Sequence, residues 1–191
     1  MNLIQPFRRN DILSPAFDGI HNGRQNLSRA ADLLHLSNHP IKQGFHSTKA
    51  VDGVNSDECV GFGVPLVVNQ SNNNGVAGMC DYLPSEKGGI ITFSDTWEGE
   101  TFFYQPEDFI GFAHVQGMYP KYEGLSGECL LFIATVLEFE ARGRYSYGRK
   151  KRRDIITNVM IKLPADADGN PDWQFMENYI KALPYGDRLE G

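Results

Sequence analysis

Residues 126–142, SGECLLFIATVLEFEAR, are apolar on nearly every side. At 3.6 residues per turn, Leu130, Ile133, Ala134 and Leu137 fall on one face, and no continuous polar stripe opposes them. A helix patterned this way has to be covered by other layers of the fold. Gly143 is its expected C-terminal stop. The covering material is legible upstream. GVPLVVNQ, GGIITFSD and TFFYQPEDFIGFAHV read as strands, the last as two pieces around Pro106. Downstream, DIITNVMIKLP alternates like a strand as far as Pro164, and ADADGN reads as a turn. A second helix is expected over 171–183, with Asn170 as N-cap, Pro171 in first position and Asp172 in the first turn. Its stripe of Trp173, Met176, Ile180 and Leu183 faces inward, with Trp173 buried and the chain after Leu183 exposed. Near the N-terminus, RQNLSRAADLLHLSNHP predicts a helix over about 26–36, closed by Pro40. The order lacks the regular β-α-β alternation of a doubly wound sheet. The expected fold is therefore α+β: a twisted mixed or antiparallel sheet over 59–165, a buried helix and a C-terminal helix. The 191 residues suffice for one domain with a sizeable core.

Charge is distributed unevenly. The chain has 18 Lys+Arg against 24 Asp+Glu. Seven of the twelve residues 142–153, RGRYSYGRKKRR, are basic and none is acidic. A whole-surface attraction for polyanions is excluded, but a local one is not. A charge run is usually a solvated face. Here it is tied between a buried helix and an apolar strand, and it mixes Arg with Tyr and Ser. Arg142, Arg144, Arg149, Lys150, Lys151, Arg152 and Arg153 suit phosphates or guanine edges, and Tyr145, Ser146 and Tyr147 offer hydroxyls. A second polar segment, Asn69, Gln70, Ser71, Asn72, Asn73 and Asn74, precedes Gly75. Asn74-Gly75 reads as a tight hairpin turn. Six consecutive amide or hydroxyl side chains exceed what a turn needs, and Asn and Gln pair bidentately with adenine. By chemistry, Lys150, Lys151 and Arg152 suit phosphates, while Asn72, Asn73, Arg144 and Arg149 suit base edges.

Local catalytic signatures are missing. None of the eight lysines has a carboxylate two positions earlier, as a D/E-x-K nuclease would require. There is no phosphate-binding G-x-x-x-x-G-K-[ST] loop, no G-x-S-x-G elbow and no Asn/Asp-Pro-Pro-aromatic amino-methyltransferase motif. His35 and His39 at helical spacing could share a metal, with His46 or Cys59 as further ligands, but a polar helix end is the plainer reading. Asp166 and Asp168 before Gly169 resemble the start of a calcium loop without its later bidentate Glu, so a turn is expected. No metal and no catalytic residue is assigned. Cys59, Cys80 and Cys129 are widely spaced and the N-terminus has no apolar h-region, which fits a cytoplasmic protein with reduced thiols. The apolar runs are too short for a membrane span.

From about Val64 to Leu183 the chain resembles the target recognition domain of restriction–modification specificity subunits, of type I and the related type IIB and IIG systems. The carriers are VPLVVNQSNNNGVAG, GGIITFSDTWEGETFFYQPEDFIGFAHV, LLFIATVLEFEARGRYSYGRKKRRDIITNVMIKLP and DGNPDWQFMENYIKAL. Most specific are SYGRK, the following IKLP and the W-x-F-M-E-x-Y-I-K helix. Residues 1–60 are not matched. The resemblance implies a non-catalytic reader of double-stranded DNA that binds one half of a bipartite target. It implies a methyltransferase (modification) subunit as partner, and a restriction subunit beside it, in a system of phage defence. S-adenosylmethionine, Mg and ATP would belong to those subunits, and this chain would bind no cofactor. A complete type I subunit carries two recognition domains and long spacer helices, which this sequence lacks. Two other readings stay open on the residues alone: a stand-alone nuclease, and an interaction module whose basic patch docks an acidic partner.

Overall fold

The computed structural model describes residues 25–29, 34–36, 62–95, 101–112, 114–145, 153–184 and 186. Its centre is helix α1 (Gly127–Ala141), where Leu130, Ile133 and Leu137 are all buried. The Ser126 hydroxyl accepts from the Cys129 N–H at 3.3 Å, and so caps an otherwise orphaned first-turn donor. The helix ends as expected, with Arg142 as C-cap and Gly143 at φ +67°.

Two sheets lie in layers beyond α1. One is antiparallel, in the order β2 (Leu34–Leu36), β8 (Val115–Pro120), β5 (Ile90–Ser94), β6 (Phe102–Gln105). The other is mixed: β4 (Val76–Cys80), β3 (Val64–Val67), β7 (Ile110–Gly111). All five residues of β5 are buried, because both of its faces are covered. Ile91 and Phe93 join the α1 core with Phe102 and Met118. Ile90 turns the other way, towards Val67, Phe109 and Val115. A strand buried on both faces reads as a nearly continuous apolar run, as IITF does apart from Thr92.

Also against α1, β1 (Gln25–Arg29) pairs antiparallel with β9 (Met160–Pro164), from Gln25 opposite Pro164 to Arg29 opposite Met160. Ile161 and Leu163 enter the core, whereas Met160 and Lys162 are exposed. Helix α2 (Arg153–Ile156) precedes β9, and α3 (Trp173–Ala182) packs Met176 and Ile180 against α1.

Four expectations need correction. The stretch 26–36 holds two strand segments and not one helix: each pairs with a distant strand, and tertiary pairing outweighs the local pattern. The segment from 154 begins as a helical turn, and only 160–164 is strand. The cap of α3 is Asp172, whose carboxylate accepts from the Phe175 N–H at 2.9 Å; Pro171 is bridged to Ala165 and Trp173 is only partly buried, against Tyr122. Cys80 is disulfide-bonded to a partner outside the described residues, and Cys129 is free and buried. Sequence spacing does not reveal that proximity.

Ile133→Ala should cost about 2–5 kcal/mol in a urea titration, since it leaves a cavity between α1 and the sheet. Ile133→Asp should prevent cooperative folding altogether, because its carboxylate would be buried unpaired.

Candidate nucleic-acid interface

Between β3 and β4 the chain reverses in a tight turn through Asn73–Gly75, whose backbone is left-handed. Asn73, Asn74 and Gly75 have φ of +48°, +54° and +77°. Only Gly and Asn visit this region cheaply, which accounts for N-N-G here. The backbone closes by Val68 N–H to Gly75 O and Gly75 N–H to Asn72 O, both 2.8 Å.

The amide side chains do most of the closing. Gln70 Nε2 donates to Val76 O at 2.8 Å and to Asn72 O at 3.3 Å, and Asn73 Nδ2 donates to Val76 O at 2.8 Å. Asn74 Nδ2 crosses to the central sheet, donating to Tyr104 O at 2.9 Å and Gln105 Oε1 at 3.3 Å. Asn69 is also engaged. Ser71 and Asn72 differ: both are exposed, and the Asn72 side chain does not cap the turn it precedes. Of the six residues of this segment expected to bind DNA, these two are exposed without building the loop.

The basic stretch begins where α1 ends. The Arg144 guanidinium pairs with Glu140 at 2.7 Å, one turn back, and the Arg142 guanidinium lies over the Phe139 ring, 5.8 Å from its centroid. Both arginines remain exposed. Tyr145 does not: it is 9% exposed and belongs to the α1 core, so its ring packs rather than contacts a ligand. Ser146, Tyr147, Arg149, Lys150, Lys151 and Arg152 lie outside the described residues, and of Arg153 only the start of α2 is described.

Tyr104 relates the two segments. Its carbonyl accepts from Asn74, and its hydroxyl sits against Gly127, where a β-carbon would come within 2.6 Å. Burial, and then Glu128, push this phenol above its ordinary pKa. The hairpin tip thus leans on the strand that touches the N-terminal end of α1, and the basic stretch starts at the C-terminal end. Fifteen helical residues separate those ends by roughly 20 Å. Among the described residues, the hairpin tip and Arg142–Arg144 thus stand near opposite ends of α1.

The other candidates resolve simply. Leu34–Leu36 is a strand, with His35 opposite Tyr119, so His35 has no helical spacing to His39, which lies outside the described residues. Asp166 Oδ1 accepts from the Asp168 and Asn170 N–H groups at 2.9 and 2.8 Å, the hydrogen bonding of a turn. Among the described residues no group of three or more His, Cys, Asp or Glu is placed to hold a metal, and no helix is long and apolar enough to cross a membrane.

The fold is similar to that of solved structures from type I restriction–modification systems. The S subunit of the type I system of M. genitalium superposes with a TM-score of 0.57 over 95% of this chain and 44% of its own, at 10% identity. A second type I R-M structure, solved for its complex assembly and conformational transition, gives 0.54 over 95% and 45%, at 12% identity. In sequence the chain is similar to the type II restriction enzyme specificity subunit S.BcgI of Heyndrickxia coagulans, at 26% identity over 121 residues, which is 63% of this chain and 35% of that protein. The chain thus spans between a third and a half of the length of these proteins. No protein-family model matches it.

Truncating Tyr145 to Ala should cost about 3 kcal/mol of stability. Arg144→Ala should cost less than about 0.5 kcal/mol, as exposed i,i+4 pairs do. Urea denaturation of the two variants separates the packing residue from the surface one.

Proposed function

We propose that this chain is the DNA-specificity module of a restriction–modification system. It binds one half of a bipartite site on double-stranded DNA and positions a methyltransferase subunit there. A restriction subunit completes the assembly. The module itself is non-catalytic and carries no cofactor: S-adenosylmethionine, Mg and ATP serve the partner subunits. It works in the cytoplasm, in defence against phage. The observation that carries the reading is the sequence likeness to S.BcgI, itself a specificity subunit. The concentration of seven basic residues in 142–153 of an otherwise acidic chain supports it.

Within this reading the work divides by chemistry. Lys150, Lys151 and Arg152 neutralise phosphates, with Arg142 and Arg153 at the ends of the stretch. Ser71, Asn72 and Arg149 read base edges. Asn73 and Arg144, which suit base reading by residue type, are committed to Val76 O and Glu140.

Mapping adenine methylation genome-wide, with and without this gene, tests the function. One sequence motif should lose methylation when the gene is deleted. An unchanged methylome, together with no salt-dependent DNA affinity of the chain, would overturn it. At the residue level, Lys150→Ala, Lys151→Ala and Arg152→Ala should each weaken all duplexes alike and reduce the slope of log affinity against log salt by about one. Asn72→Ala should cost about 1–3 kcal/mol on the selected site and little on random duplex.

A further inference from the structure

We infer that Gln105 is a positioning residue that sets where the hairpin tip presents Ser71 and Asn72. This inference rests on the proposed DNA-reading function. Gln105 is the last residue of β6 and is 3% exposed. Its neighbours on β6 show why it is available: Phe102 and Tyr104 pack on the α1 side, so Phe103 and Gln105 point to the opposite face, towards the hairpin. Three of the four polar atoms of the Gln105 and Asn74 side-chain amides take part in the joint. Gln105 Nε2 donates to Asn74 O at 3.0 Å and to Thr92 Oγ1 at 2.9 Å, and its Oε1 accepts from Asn74 Nδ2 at 3.3 Å. Thr92, 1% exposed in the middle of β5, has its own hydroxyl within 3.4 Å of Phe103 O.

The result is a chain of hydrogen bonds from the most buried strand, through one amide, to both the backbone and the side chain of the residue two positions after Asn72. Asn74 stands at φ +54°, and Gly75 beside it would bring a β-carbon to 3.3 Å from the Phe103 ring. The tip is therefore pinned at a point where its backbone is unusual and closely packed. A buried polar network is costly unless every member is satisfied, and one that is satisfied selects a single arrangement. An apolar joint between the two sheets would allow the tip to slide. The amide joint does not, because any shift leaves Gln105 unsatisfied. Gln105 touches no ligand in this scheme: it acts through Asn74.

The test uses the full chain and a duplex pool with a randomised core. Gln105→Leu keeps roughly the size of the side chain and removes all three bonds, and Thr92→Val removes one. Thr92→Ser keeps the hydroxyl and serves as the conservative control. Hydrogen exchange at the Val68 and Gly75 amides reports the tip directly, without DNA. Both should lose protection in Gln105→Leu and Thr92→Val, relative to the amides of α1, and retain it in Thr92→Ser. In selection, the consensus of Gln105→Leu should lose about tenfold in preference over random duplex, with the salt slope unchanged. Should Gln105→Leu fail to fold, Asn74→Gly, which keeps the backbone conformation and removes only the side chain, should show the same two effects. Unchanged exchange at Val68 and Gly75 would overturn the positioning role. Released exchange with an intact consensus would equally overturn it, since the tip would then not need pinning. If the wild-type chain selects no consensus while the exchange results hold, the DNA-reading function falls and the joint is structural only.

Discussion

The rest of the structure depends on the deep burial of most of α1, which leaves the Leu131, Thr135, Glu138 and Phe139 stripe partly or fully exposed. One helix face on one sheet would leave the opposite side of SGECLLFIATVLEFEAR in water. The chain instead packs β5, β6, β9 and α3 against it in one common core. The demand propagates outwards. Because β6 has to lie against α1, Tyr104 meets Gly127 edge-on, and a side chain there would clash with its hydroxyl. Because β5 must be buried on its α1 face and also faces β3 and its neighbours, it has no solvent face, and Thr92 ends up as a buried hydroxyl that needs partners. Gln105 supplies one of them.

The legible parts of the fold are those whose signals are local. The all-round apolar run of α1, the β-branched run of β5 and the N-N-G turn can be read from a few adjacent residues. The β1 and β2 segments could not be read that way. RQNLSRAADLLHL has apolar residues at helical spacing, yet Arg29 pairs with Met160 and Leu36 with Met118. Nothing near residues 25–36 announces partners that far along the chain. The same holds for Cys80, whose bonding depends on what folds against it.

The site divides along a different line. Residue type told correctly that 69–74 is an unusual concentration of amides, but not which amides are spent on the loop itself. Gln70 and Asn73 both donate to the Val76 carbonyl just past the turn, and Asn74 donates across to the Tyr104 carbonyl on β6. Backbone bonds close the positive-φ turn, and the amide side chains add bonds that tie it to Val76 and to β6. This use is invisible in composition, where a structural and a ligand-reading Asn look alike. Tyr145 shows the same limit from the opposite direction. Amid basic neighbours it reads as a surface phenol, but it follows directly on a buried helix and folds back into that helix's core.

Anchoring the two polar segments near opposite ends of α1 has a physical consequence for a DNA reader. Roughly 20 Å of helix is comparable to the rise of six base pairs at about 3.4 Å each. On the proposed reading, a rigid rod of that length fixes the spacing between the start of the basic stretch and the hairpin tip far better than a loop could. The tip can then vary in sequence, as Ser71 and Asn72 are free to do, without disturbing the rod. The cost falls on the residues in between. Asn74, Gln105 and Tyr104 each bond to the tip or lie against the helix, and so they tolerate little change even though none of them needs to touch a base. In such an arrangement the residues that determine specificity are the ones with the fewest intramolecular bonds, and the residues that make specificity possible are the ones with the most.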